Sequence, residues 1–192
     1  MKAALVIFDG MTMLDFVGFY DALTRLRTMK LMPDFEWRVC ARTPQARDER
    51  GLALLAGSVG ESLAGCDLLF VPGGMGTRTL QHDRAFMDWI GTAGDARLKT
   101  SVCTGALILG AAGFLRDRRA TTHPAALKEL EPYCAQVVTD RIVDEGSVIT
   151  GGGVATSIDL GLHVVERLAG ADARARIAKQ MDYPYHAKGR ES

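Results

Sequence analysis

Two runs of this 192-residue chain are apolar without alternation: AALVIF, from Ala3 to Phe8, and DLLFV, from Asp67 to Val71. A strand apolar on both faces belongs in a sheet covered on both sides, which is the habit of parallel sheets. Each run stops on turn residues, Asp9-Gly10 in the first and Pro72-Gly73-Gly74 in the second. Helical spacing follows each, and it predicts helices over Leu14–Lys30 and Asp83–Ala93. The first offers Leu14, Val17, Ala22, Leu23 and Leu26 for its inner face, and the second Phe86, Trp89 and Ile90. Further strands are expected at Phe35–Ala41, Leu52–Leu55, Lys99–Val102 and Ala120–Thr122. Arg141–Val143 and Ser147–Thr150 pair around Asp144-Glu145-Gly146. His123-Pro124 opens a helix with proline at its first position. Val154–Ala169 and Ala171–Met181 complete the helices. The alternation predicts an α/β fold: a single domain over 1–192, its mainly parallel sheet sandwiched by helices.

Composition narrows the function classes. Lys+Arg and Asp+Glu number 23 each, and the run Arg116, Arg118, Arg119 is short. It reads as a solvated loop, so no nucleic-acid partner is expected. Four cysteines show no CxxC spacing, which argues against zinc and against a disulfide framework. The apolar run at the N-terminus is too short for a signal peptide, and no run approaches membrane-spanning length. The expectation is a soluble cytoplasmic protein with reduced thiols.

The chemistry points to Cys103, in KTSVCTGALILGAAGFL. A strand-like run feeds into the cysteine, and an apolar helix starts at once with Thr104, Gly105 and Ala106. That order is a nucleophile elbow, an exposed corner at a helix N-terminus. The helix dipole there should lower the thiol pKa and raise its thiolate fraction. A free cysteine is as readily a buried core residue. Placement separates the readings: Asp9–Asp15, Pro72–Met75, Cys103 and Gly151–Gly153 all fall at strand ends, where α/β sheets bind ligands.

A thiolate attacking an unsaturated carbon builds negative charge one atom away. The N–H groups of Thr104 and Gly74 are the candidate donors to it, although Pro-Gly-Gly is also an ordinary βα turn. Asp15 is the candidate proton carrier, its pKa raised by apolar neighbours. It is equally readable as a carboxylate stabilised at a helix N-terminus. Asp9 competes but sits in a turn-type Asp-Gly. His123 stands either in the site or as a local helix-start residue. His82 and His186 read as surface residues, His163 as structural, and Cys40, Cys66 and Cys134 as structural or incidental. The Gly151 run lacks the strand–GxGxxG–helix order, and no P-loop occurs, so neither nucleotide nor metal is expected.

Several stretches resemble the ThiJ/PfpI superfamily, a branch of the class I glutamine amidotransferase-like, flavodoxin-like α/β fold. They are LDFVG (14–18), FVPGGMG (70–76), SVCTGALILGAAGFL (101–115), RATTHP (119–124), ITGGGVATSIDLGL (149–162) and AKQMDYPY (178–185). Within it the chain looks most like the cyclohexyl-isocyanide hydratase group. The resemblance implies Cys103 as nucleophile, Asp15 as general acid and base, and Thr104 beside the thiol. It puts Val154 where hydratases carry a small aliphatic residue, in a pocket with Gly73, His123 and Gly153. The implied reaction hydrates an isocyanide to an N-formamide without cofactor, in a homodimer acting on a small molecule. Two positions depart from the hydratases: Gly18-Phe19 replaces Gly-Pro, and His123-Pro124 replaces a His-Trp pair. The His-Pro pair is that of the Parkinson's-disease branch, which has glutamate in place of Asp15. Thr104 replaces the histidine of PfpI-type proteases, and the H-x-E motif of class I glutaminases is absent. The alternatives are a glyoxalase or deglycase acting on dicarbonyls, or a cysteine-based redox or small-molecule sensor. The sensory domain of AraC-type regulators carries similar blocks, but no helix-turn-helix segment or basic patch accompanies them here.

Overall fold

A computed structural model of the chain describes residues 1–184. Tyr185, which ends AKQMDYPY, and His186 lie outside the described residues. The apolar run at the N-terminus forms β1 (Lys2–Val6), and α1 (Met13–Thr28) follows it. Next come β2 (Glu36–Ala41), the short β3 (Gln45–Arg47) and β4 (Ala53–Leu55), and β5 (Ser58–Val59). DLLFV becomes β6 (Leu68–Val71), followed by α2 (Thr77–Leu80) and α3 (Arg84–Gly91). Then come β7 (Leu98–Val102), α4 (Gly105–Ala111), β8 (Arg119–Ala120) and α5 (Leu127–Leu130). The chain closes with β9 (Gln136–Val137), β10 (Ile142–Asp144), β11 (Val148–Gly151) and α6 (Thr156–Gln180). Helix α6 is interrupted at Gly170, whose φ of 86° is open to glycine, so it divides where the sequence predicts two helices.

Seven strands make one sheet in the order β10-β11-β7-β6-β1-β2-β5, parallel except for β10. The expected mainly parallel α/β sandwich is therefore the observed one. The chain runs outward from β1 to β2, then returns to β6 and runs the other way. Adjacent β1 and β6 thus send their connections in opposite directions, which opens a crevice at their C-terminal ends.

Helix α1 packs along α6, and its inner stripe is Phe16, Phe19, Ala22, Leu23 and Leu26. Phe19 stacks on Phe70 of β6 with ring centroids 3.8 Å apart. Two residues expected on that face are not there: Leu14 is 48% exposed and Val17 38%. The inner face instead takes in Asp15 and Gly18, so the polar carboxylate displaces the apolar pattern by about a residue. A helix face read from hydrophobicity alone misses such an inward-turned acid. For the second predicted helix the pattern holds: Phe86, Trp89 and Ile90 are buried in α3, and Asp83 caps it by accepting the Phe86 N–H at 3.0 Å.

Strands β3 and β4 pair only with each other, antiparallel. This hairpin docks on the loop after β1: Gly10 N–H donates to Arg47 O at 2.8 Å, and Arg47 N–H to Asp9 Oδ1 at 2.8 Å. Asp9 is thus a docking residue for the hairpin. Among the described residues no helix is long and apolar enough to cross a membrane.

Candidate active site

Strand β7 delivers Cys103 into the turn before α4, with φ of 54°. A non-glycine residue in that region is strained unless its surroundings hold it. Here they do. The Cys103 N–H is shared between Gly152 O at 2.7 Å and Gly151 O at 3.1 Å, and its carbonyl accepts the Thr122 hydroxyl at 2.8 Å. The elbow is real, but it is not exposed: Cys103 is 5% accessible.

Asp15, in the first turn of α1, has no accessible surface. Its Oδ2 accepts the Gly73 N–H at 2.9 Å, while Oδ1 is buried without a hydrogen-bond partner. Burial pushes this carboxyl up to about 7, against the lowering influence of Gly73 N–H and the Cys103 thiol, and with a small push from Glu49. The thiol goes the same way. Burial first, then the negative charge of Asp15, push Cys103 up to about 12, although the backbone N–H and hydroxyl of Thr104 pull it down. The expectation of a thiolate preformed by the helix dipole is therefore overturned. Desolvation comes first among the causes, and the Asp15 charge adds to it. The two groups compete for protons, so near neutrality they hold one or two between them.

Gly73 sits against the pair. A Cβ at Gly73 would lie 2.5 Å from Thr104 N, 2.7 Å from Cys103 Cβ and 2.8 Å from Asp15 Oδ2. Its backbone angles suit any residue, so only space demands glycine there. Gly73→Ala is expected to displace the Cys103 thiol and to lower any turnover that depends on it about 100-fold. It should also cost about 1–3 kcal/mol through overpacking. Single-turnover kinetics together with a urea melt would show both.

The second expected oxyanion donor is not free. Gly74 N–H donates to Thr104 Oγ1 at 2.9 Å, and that hydroxyl is also 3.0 Å from Gly74 O. A close-approach turn brings Gly74 inward, yet a local hydroxyl takes up its donor before any ligand can. Thr104 N–H remains directed at the thiol.

The other expected pocket residues lie to one side. His123 caps a short 3-10 turn, its Nδ1 accepting Ala125 N–H at 3.2 Å, and Gly153 faces its ring. Val154 is half-buried against the core. The side-chain hydrogen bond His123 makes is this local one, to Ala125 and not to Cys103. Gly153 lines a cavity of about 260 Å³ with Thr122 and Arg141, and a larger one of about 350 Å³ lies by Asp9, Arg42 and Asp83. Neither cavity is lined by Cys103 or Asp15, so the buried pair, and neither of these hollows, marks the candidate site. His163 pairs with Asp144 at 2.8 Å, as a structural histidine should, and the four cysteines are unpaired.

Residues 1–167 match the model of the DJ-1/PfpI family. The chain belongs to the DJ-1/PfpI family. It is 35% identical over 184 residues to the isonitrile hydratase of Pseudomonas putida, an alignment covering 95% of this chain and 78% of that protein. Among solved structures it is similar to a ThiJ/PfpI family protein from Pseudomonas syringae. The TM-score is 0.87 and the identity 27%, covering 100% of this chain and 77% of that one. Drosophila melanogaster DJ-1beta shares the fold, with TM-score 0.80, 20% identity, and 96% and 98% of the two chains covered.

Two residues of this DJ-1/PfpI chain escape sequence reasoning. Thr122, within RATTHP, holds the carbonyl of Cys103 with its hydroxyl at 2.8 Å. Glu49, exposed in the β3–β4 hairpin, accepts the Met75 N–H at 2.6 Å, and its charge adds a small push to Asp15. Nothing in QARDERG marks that glutamate, because only the docking of the hairpin brings it near the site.

Proposed function

We propose that this protein hydrates isocyanides, R–N≡C, to N-formamides by covalent catalysis at Cys103. The observation that carries the reading is the buried Cys103–Asp15 pair, two acids whose burial leaves them to exchange a proton rather than lose it to water. The similarity to the isonitrile hydratase of Pseudomonas putida supports the substrate class. A closed site also suits an isocyanide, whose reacting carbon is the slim end of a linear group.

The Asp15 carboxylate takes the thiol proton as sulfur bonds to the isocyanide carbon. The same proton is then delivered to that carbon, which gives the thioimidate R–N=CH–S–Cys103. Asp15, again a carboxylate, draws a proton from water as its oxygen adds to the carbon. Asp15 passes that proton to nitrogen, then takes the hydroxyl proton as the carbonyl forms and the C–S bond breaks, and returns it to the departing thiolate. The net change is R–N≡C plus water to R–NH–CHO. Thr104 N–H steadies the sulfur when it is negative.

Reduced enzyme should therefore release formamide from a simple alkyl isocyanide. Its kcat/KM should rise with pH through a midpoint near 7, where Asp15 becomes a carboxylate, and should not fall again below about pH 10. Consumption of methylglyoxal without formamide production would sink the reading in favour of dicarbonyl chemistry. The raised thiol pKa works against a redox sensor, which needs an accessible thiolate. The reading includes a homodimer in a reducing compartment. Exposed Leu14, Val17 and Met75, next to the site segments, are apolar side chains a second copy would cover.

A further inference from the structure

Three successive amides bind three side chains from three parts of the chain. Gly73 N–H donates to Asp15 at 2.9 Å, Gly74 N–H to Thr104 at 2.9 Å, and Met75 N–H to Glu49 at 2.6 Å. The strap that carries them lies directly on the nucleophile, since there is no room at Gly73 for a Cβ. Its ends are tied to the loop after β1, through Thr12 N–H to Gly73 O at 2.8 Å and Gly76 N–H to Gly10 O at 3.0 Å. Glu49 is itself held in place. Buried Asp48 accepts the N–H groups of Arg50 at 2.9 Å and Leu52 at 2.8 Å, closing the hairpin turn, and Glu49 N–H donates to Met11 O at 3.3 Å. The 2.6 Å contact from Met75 N–H to the exposed Glu49 carboxylate is a charge-assisted hydrogen bond.

We propose that Glu49 is a positioning residue of the active site: its carboxylate clamps the Gly73–Met75 strap onto the Cys103 elbow, binding the strap two residues along from the amide that Asp15 holds. Two titratable groups act on Asp15, the Cys103 thiol by a hydrogen bond from the β7–α4 elbow and Glu49 by its charge from the hairpin. A second negative charge favours the neutral acid, so Glu49 keeps Asp15 protonated to higher pH than burial alone would. The charge and the hydrogen bond can be separated. Glu49→Gln keeps an acceptor oxygen for Met75 N–H and removes the charge, whereas Glu49→Ala removes both.

The assignment rests on the hydration reading only where formamide is measured, so the first readout avoids substrate. It is the pH dependence of Cys103 alkylation by iodoacetamide, followed by mass spectrometry. Wild type should show a midpoint near 7. Glu49→Gln should move that midpoint down by about half a pH unit. Glu61→Gln, which removes the same charge from a residue bonded to Arg38, should not move it. In Glu49→Ala the midpoint should fall likewise, and formamide kcat at the high-pH plateau should drop about tenfold as the strap loosens. An unmoved midpoint in Glu49→Gln overturns the assignment. So does a Glu49→Ala plateau within twofold of wild type. If wild type makes no formamide, the hydration reading fails separately, and the alkylation midpoints still decide the role of Glu49.

Discussion

Cys103→Ala is expected to remove formamide production, leaving a rate at least about 10⁴-fold below wild type, and Asp15→Asn is expected to come close to it. In the proposed mechanism the thiol supplies the covalent bond, and, pushed up to about 12, it needs a base within reach to accept its proton at neutral pH. Asp15 is the proposed base, and in the same proposal its carboxyl returns the proton to carbon. The two residues therefore act as a unit. The double variant should be no slower than Cys103→Ala, because a nucleophile without its proton carrier does as little as no nucleophile. Isocyanide turnover monitored by formamide release in the four proteins tests this. Wild-type rates in Asp15→Asn would move the proton transfer to another group and remove the central step of the mechanism.

Asp15→Asn is also expected to make the fold more stable at pH 8, although it removes a native side chain. The sign follows from linkage. The folded carboxyl titrates near 7 and the unfolded one near 3.8, so between these values the folded state binds the extra proton. Stability is then greatest below pH 3.8, as far as this group is concerned, and declines as pH rises to 7. The difference is about 4 kcal/mol, which corresponds to roughly 10 °C in melting temperature for a chain of this size. Asparagine carries no such cost, and its oxygen can still accept the Gly73 N–H. Denaturant melts from pH 4 to 8 should decline for wild type and stay nearly level for Asp15→Asn. Parallel curves would mean that Asp15 is not the group storing this free energy. A carboxyl placed where it destabilises the fold is what a proton-transfer role demands.

Much of this was legible in the residues themselves. AALVIF and DLLFV carry no polar alternation, so burial on both faces was implied, and the parallel order of β1 and β6 follows from helices lying between strands. Cys103 was recognisable because a strand runs into a cysteine with no intervening loop. Asp15 was recognisable because a carboxylate stands among Leu14, Phe16 and Val17. What could not be read was which way those neighbours point. Leu14 and Val17 face outward and Asp15 inward, because the helix is rotated by its packing on α6 and on Phe70. Hydrophobic spacing ranks residues by transfer preference, and it fails where a polar group is buried for chemistry.

By itself the sequence determined the layering of helices on a parallel sheet and the convergence of Asp15, Gly73, Gly74 and Cys103 at the strand ends. Both follow from local periodicity and turn chemistry. Only the tertiary structure decided the protonation of the pair, the occupation of the Gly74 N–H by Thr104, and the arrival of Glu49 from a hairpin 26 residues before its partner Met75. A pKa and a free donor depend on the distances and desolvation that distant segments impose, and these exist only once the chain has closed around the thiol.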